Sequence, residues 1–173
     1  MLFRSMSINL DPVNNMRSML ICSIAIMIAC MSCSTVSVPM GDAIDSYTIK
    51  IERTACRGNC PVYAMTIHGD GTLEYEGFMN TPYKGRRIGS ISKDSISALL
   101  RTIEAIDINA LQHQYTQQSS TDMPSVVFTV QHQKQGVIRG KNIIDFQGDA
   151  TAPEALRLLY NRLDAWYTII QWQ

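Results

Sequence analysis

The order of the periodic segments constrains this chain more than any single residue does. Alternating polar and apolar stretches come first, a stretch of helical spacing follows, then two more alternating stretches and a final helical one. Nowhere does the strand–helix–strand repeat of a parallel sheet appear. The fold class expected is therefore α+β: an antiparallel sheet of about five to six strands with two helices packed on one face, a two-layer sandwich.

The first strand is expected over Tyr47–Arg53, with Tyr47, Ile49 and Ile51 on one face. Val62–His68 and Thr72–Phe78 alternate in the same way around Gly69-Asp70-Gly71, which reads as a hairpin. Arg87–Ser92 adds a short strand. Ser92 then caps a helix whose apolar stripe is Ile96, Leu99, Leu100, Ile103 and Ile106. After a polar stretch from Gln112 to Asp122, Val126–His132 and Val137–Phe146 flank Lys134-Gln135-Gly136 as a second hairpin. Thr151-Ala152-Pro153-Glu154 reads as a capping box, and Leu156, Leu159, Tyr160, Leu163 and Trp166 or Tyr167 form the buried stripe of the last helix. About 128 residues from Ser46 to Gln173 can bury roughly two thirds of their unfolded-chain surface, enough for a stable core.

Residues 1–33 have a different grammar. From Met19 to Met31 the chain is an uncharged, largely apolar run of about 13 residues, preceded by Arg17 and followed by small residues and cysteine. That is too short for a membrane-spanning helix, which needs about 20 residues, and it matches the apolar region of a signal peptide. Asp11 and Pro12 do not suit the basic start of such a peptide, so translation is expected to begin at Met16. Cys33 after Ser32, or Cys30 after Ala29, resembles the lipobox of bacterial lipoproteins, in which the thiol is acylated and becomes the first residue. Residues 34–45 mix Ser, Thr, Pro and Gly without period and read as a flexible tether, leaving 46–173 as a single domain. The expected address is thus the bacterial cell envelope, at its periplasmic or outer-membrane face, with the membrane held through a lipid anchor.

Special residues are densest between Arg53 and Tyr63, in RTACRGNCPVY. In an oxidising compartment Cys56 and Cys60 read first as a structural disulfide across a tight turn. Gly58 and Asn59 are expected to supply unusual backbone angles there, and Pro61 to fix re-entry into the strand. The alternative is a thiol-based metal or redox site. Cys-x-x-x-Cys-Pro is similar over six residues to the copper-binding motif of Sco-type assembly factors, with His68, His113 or His132 as a third ligand. Those factors place a helix after the motif, whereas VYAMTIH reads as a strand. A thioredoxin-type catalyst fits less well, because the spacing is not Cys-x-x-Cys and no helix N-terminus is expected there to lower a thiol pKa.

The pattern as a whole resembles domain-of-unknown-function family 6438, a family of bacterial lipoproteins common in the Bacteroidota, with the signature Arg-x-x-Cys-x-Gly-x-Cys-Pro-x-Tyr. Arg53, Cys56, Gly58, Cys60, Pro61 and Tyr63 supply every element of it. The resemblance extends to Gly71, Gly77, Tyr115, Asp122, Ala152 and Pro153. It implies location and architecture and carries no assigned activity.

Asp122, in the longest irregular stretch, is a candidate ligand or turn anchor. Lys84, Arg86 and Arg87 beside Tyr83 form a small basic cluster that reads as a solvated loop, and Glu74 and Glu76 share a strand face without an evident partner. No Ser-His-Asp set, phosphate loop or zinc motif is present, so no catalytic residue, metal or cofactor is expected. The 15 basic residues match the 15 acidic ones, which gives no positive field for nucleic acid. The function expected is non-enzymatic: a structural role, or binding of an envelope protein, a peptide or a cell-wall component.

Overall fold

Alternation becomes pleat in the computed structural model, which describes residues 44–117, 122–170 and 172. Residues 1–33, expected to be a signal peptide, and the expected tether up to residue 43 lie outside the described residues. The strands are β1 (Tyr47–Arg53), β2 (Val62–His68), β3 (Thr72–Met79), β4 (Gly85–Ser90), β5 (Gln114–Tyr115), β6 (Ser125–Lys134) and β7 (Val137–Phe146). The helices are α1 (Lys93–Ala105) and α2 (Glu154–Ile169).

All seven strands join one mixed sheet in the order β4-β3-β2-β1-β6-β7-β5, with β1 at its centre. Seven exceed the five to six expected. The extra member is β5, a two-residue strand within the polar stretch, too short to show any period. It also runs parallel to β7, pairing Gln114 with Ile144 and Tyr115 with Asp145, so the sheet is not wholly antiparallel. Every other ladder is antiparallel, and both hairpins form where expected. Gly71 has φ +104 at the first, while Gln135 (φ 51) and Gly136 (φ 79) give the second two consecutive left-handed residues, the twist that tight hairpins prefer.

The period of two places one residue set inward. Ile49, Ile51, Tyr63, Met65, Ile67, Leu73, Tyr75, Val126, Phe128 and Ile143 are buried together. Their alternates, among them Lys50, Glu52, Thr66, Glu74, Glu76, Thr129 and Asn142, lie on the opposite face. The helices supply the inner layer: Ile96, Leu99, Leu100 and Ile103 of α1, with Leu156, Leu159, Tyr160, Leu163 and Trp166 of α2. Ser92 caps α1 as expected, its hydroxyl accepting from the Ser95 N–H at 3.2 Å. The capping box expected at α2 does not form. Pro153 occupies the cap position without a side-chain bond, and Thr151 turns back to Asp149 instead.

Ile44, at the end of the proposed tether, belongs to the core at 5 % exposure. It reaches the sheet because Gly69 leaves room for it: a Cβ on Gly69 would stand 1.7 Å from the Ile44 carbonyl oxygen. We expect Gly69→Ala to force the two backbones apart and cost about 1–3 kcal/mol, as overpacking does. Urea unfolding followed by circular dichroism measures this, and an unchanged midpoint would show that the contact does not hold Ile44 in place.

Candidate functional site

The densest run of special residues becomes the turn between β1 and β2. Cys56 and Cys60 are joined by a disulfide with their Cα atoms 5.7 Å apart, an ordinary span for such a bridge. Arg57, Gly58 and Asn59 project from it and are exposed. Neither Gly58 nor Asn59, expected to supply unusual backbone angles, has a positive φ. A Cβ at Gly58 would meet only the Cys56 Sγ, at 3.8 Å. Nothing in the structure requires glycine at position 58.

Neighbouring segments brace the turn on both sides. The Asn80 amide donates to the Cys60 carbonyl at 3.1 Å, and Asn80 itself adopts φ 55. On the other side the Arg57 N–H donates to the Asp122 carbonyl at 3.2 Å, and the Arg57 guanidinium lies 3.5 Å from the Asp122 carboxylate. Thr54 and Ser125 bond reciprocally: the Thr54 N–H donates to the Ser125 carbonyl at 3.0 Å, and the Ser125 N–H to the Thr54 Oγ1 at 2.8 Å. Asp122 is thus an anchor of the turn, with both side chains of its ion pair largely solvated and the pair correspondingly weak.

Beneath the turn lies a partly buried polar cluster. Arg53 and Tyr63 are directly opposite each other in the β1–β2 ladder and flank the disulfide symmetrically. Both continue the inward-facing rows of their strands, so their polar ends enter the space between sheet and α2. There Asp164 meets them: Arg53 Nη2 donates to its Oδ2 at 2.5 Å, Arg53 Nε to its Oδ1 at 3.2 Å, and the Tyr63 hydroxyl to Oδ1. The Arg53 guanidinium also lies 6.0 Å from the centre of the Tyr160 ring. Burial opposes the charge on Arg53, but the hydrogen bond and the charge of Asp164 outweigh it and raise its pKa. Burial first, and the nearby Asp164 charge second, drive the Tyr63 pKa far above its ordinary value. Tyr63, Tyr75, Tyr167 and Trp172 stack beside the cluster with centroid separations of 4.7–5.6 Å, closing it from one side.

A second buried polar group sits at the other flank of α2. Asp145, at 0 % exposure on the inner face of β7, accepts from Arg157 Nη2 at 3.2 Å and from the Gln147 amide at 2.9 Å. Burial raises its pKa against the opposing pull of Arg157. Asp149 next to it accepts from the Thr151 hydroxyl and N–H and from the Gln117 N–H, and the Thr151 bonds hold its pKa down. Lys141 is buried too, with its ammonium donating to the carbonyls of Leu111 at 2.5 Å and Asn109 at 3.4 Å. The Tyr160 hydroxyl is buried with no partner among the described residues.

The three histidines are dispersed. His68 and His132 stand at the ends of β2 and β6 remote from the disulfide, His68 beside Glu74 and His132 stacked on Tyr47. His113 bonds the Asn142 carbonyl at the β7 edge. Among the described residues no group of three or more His, Cys, Asp or Glu side chains is arranged to hold a metal ion. Of the basic cluster, Arg86 pairs with Glu74 at 2.7 Å, and Arg87 lies over the Tyr83 ring. Sequence reasoning singled out Arg53 and Tyr63 but not the group that binds them. Asp164 falls four residues after Tyr160 and three before Tyr167, on the flank of the apolar stripe, and an acid in that position was the available signal.

Fold and site together define an open-faced α+β sandwich whose central hairpin carries a disulfide-bridged turn clamped from below by one carboxylate. The chain belongs to the family described as Domain of unknown function (DUF6438), whose model matches residues 47–167. That match includes Arg53, Cys56, Gly58, Cys60, Pro61, Tyr63 and Asp164. No curated protein matches the chain.

The Arg53–Asp164 pair is partly buried, so removing one partner leaves the other only partly compensated by water, and the loss lies at or below the lower end of that for a fully buried pair. We expect Asp164→Ala to lower the unfolding free energy by about 3 kcal/mol, and Asp164→Asn, which keeps a hydrogen-bond acceptor for Tyr63, by less. Equal loss in urea titrations of the two variants would remove Tyr63 from the account. The disulfide closes a short ring, so Cys56→Ala with Cys60→Ala should cost about 2 kcal/mol and leave the far-ultraviolet spectrum of the sheet intact. A collapse of that spectrum would show that the turn directs the whole fold.

Proposed function

We propose that this chain is exported, acylated at Cys33 or Cys30, and acts at the bacterial cell envelope as a non-enzymatic binding domain. The observation that carries the reading is the inward use of the signature chemistry. Arg53 and Tyr63 are consumed by Asp164, and Cys56 and Cys60 by each other, so the polar groups that would be spent on a substrate are spent on holding the turn. What remains for a partner is the exposed turn of Arg57, Gly58 and Asn59, and the sheet face that the helices leave open. A bridged cysteine pair on a half-exposed turn also belongs in an oxidising compartment, in accord with the signal-like run before Cys30 and Cys33.

The competing reading makes Cys56 and Cys60 a copper or redox site. It requires a reduced pair, and of the proposed third ligands His68 and His132 stand at the far end of the sheet. Mass spectrometry of the mature protein from membranes tests both readings together. The expected result is an N-terminus at Cys33 or Cys30 carrying acyl mass, with Cys56 and Cys60 linked. An unprocessed N-terminus would overturn the anchor, and two free thiols that bind copper would overturn the structural disulfide.

A further inference from the structure

The β6–β7 hairpin outruns the layer beneath it. Val130 and Lys141, opposite each other, are buried, but the next positions on the same side, His132 with Arg139 and then Lys134 with Val137, extend past the core. Together with Gln135 they line a concavity of about 400 Å³. Its wall has cations and no carboxylate. Lys134 and Arg139 form no ion pair among the described residues, in common with Lys84, Arg87, Arg101, Lys141 and Arg162. Arg139 and Lys134 are also diagonal neighbours across the strands, so two positive charges share one side of the hairpin within reach of a single ligand.

The edge of the same strand is open. The Ile144 N–H donates outward, to the His113 carbonyl in front of β5, so strand alternation turns the backbones of Gly140 and Ile138 outward as well. Since β5 pairs only with Ile144 and Asp145, these two residues have no neighbouring strand among the described residues. Val137 on the cationic side is 55 % exposed, and Ile138 on the other side is 63 % exposed.

We infer that this ledge docks an extended acidic peptide segment, which adds a strand along the Ile138–Gly140 edge of β7 and turns its carboxylates to the side of Arg139, with Lys134 reaching toward them from across Val137. Only a peptide backbone matches the unpaired N–H and C=O groups of that edge. The pleat then presents one set of its side chains to the cations and the other to Ile138, so the segment is one in which acidic and apolar residues alternate. A second copy of this chain fits poorly, because it would bring its own Lys134 and Arg139 to the same place. The inference deepens the binding reading above, and it stands or falls separately from the export and acylation that mass spectrometry tests.

The probe is a fluorescent peptide of three Glu-Val repeats, with a Glu-Pro peptide of equal charge and a Lys-Val peptide as comparisons. The Glu-Val peptide should bind by anisotropy and slow hydrogen exchange at the Ile138 and Gly140 amides. The Glu-Pro peptide, lacking the alternate N–H donors, and the Lys-Val peptide should bind at least about tenfold more weakly. Lys134→Glu with Arg139→Glu should weaken the Glu-Val peptide by about tenfold or more while leaving the circular dichroism spectrum unchanged, since both side chains are exposed. Absence of Glu-Val binding, equal binding of Glu-Pro, or indifference to the double variant would each overturn the proposal.

Discussion

A single carboxylate, on Asp164, decides how the helical layer meets the sheet at its centre. It receives the Arg53 guanidinium through two hydrogen bonds and the Tyr63 hydroxyl through a third, from strands that are neighbours in the ladder. Withdrawing such an ion pair from water is expensive, and the gain from pairing roughly repays that cost rather than adding much stability. Its value is positional. Apolar contacts between α2 and the sheet would tolerate sliding, but a forked guanidinium bound to one carboxylate does not. With the ends of β1 and β2 held in this way, the intervening residues need bridge only a short gap, and the Cys56–Cys60 disulfide closes it.

Much of the framework was legible from period alone. The alternation of Tyr47–Arg53, Val62–His68 and Thr72–Phe78 gave the right strands because each has one face against a core and one against water, the condition under which a period of two is visible. The stripe from Ile96 to Ile103 was readable for the same reason. Gln114–Tyr115 was not, since a strand of two residues contains no period and owes its existence to β7 beside it. The missed role of Thr151 is a local competition: Asp149 takes its hydroxyl before the helix can use it as a cap.

The candidate site was half legible. Arg53, Cys56, Cys60 and Tyr63 stood out by their density, yet their meaning depends on Asp164, more than 100 residues away along the chain. The same holds for Lys141 and Asp145, which flank Ile143 in the inward row of β7 and find their partners in distant loops and in α2. Polarity ordinarily marks the outward row of a strand. Charged groups on the inward row are buried only where a partner arrives from elsewhere, and a sequence read along its length does not show what arrives.

The central place of β1 bears on the order in which the domain can assemble. Its partner β2 follows after a short turn, but the other partner, β6, comes far later in the chain, and just past the end of β1 Thr54 bonds Ser125 across 71 positions. While the chain is threaded out N-terminus first, β1 to β4 can pair in succession as a meander. Throughout that interval the far side of β1 presents a full row of unsatisfied backbone groups, and its apolar face has no helix α2 to cover it. The strand most protected in the finished domain is therefore the one exposed longest before it, and any factor that escorts the unfinished domain has its natural foothold there.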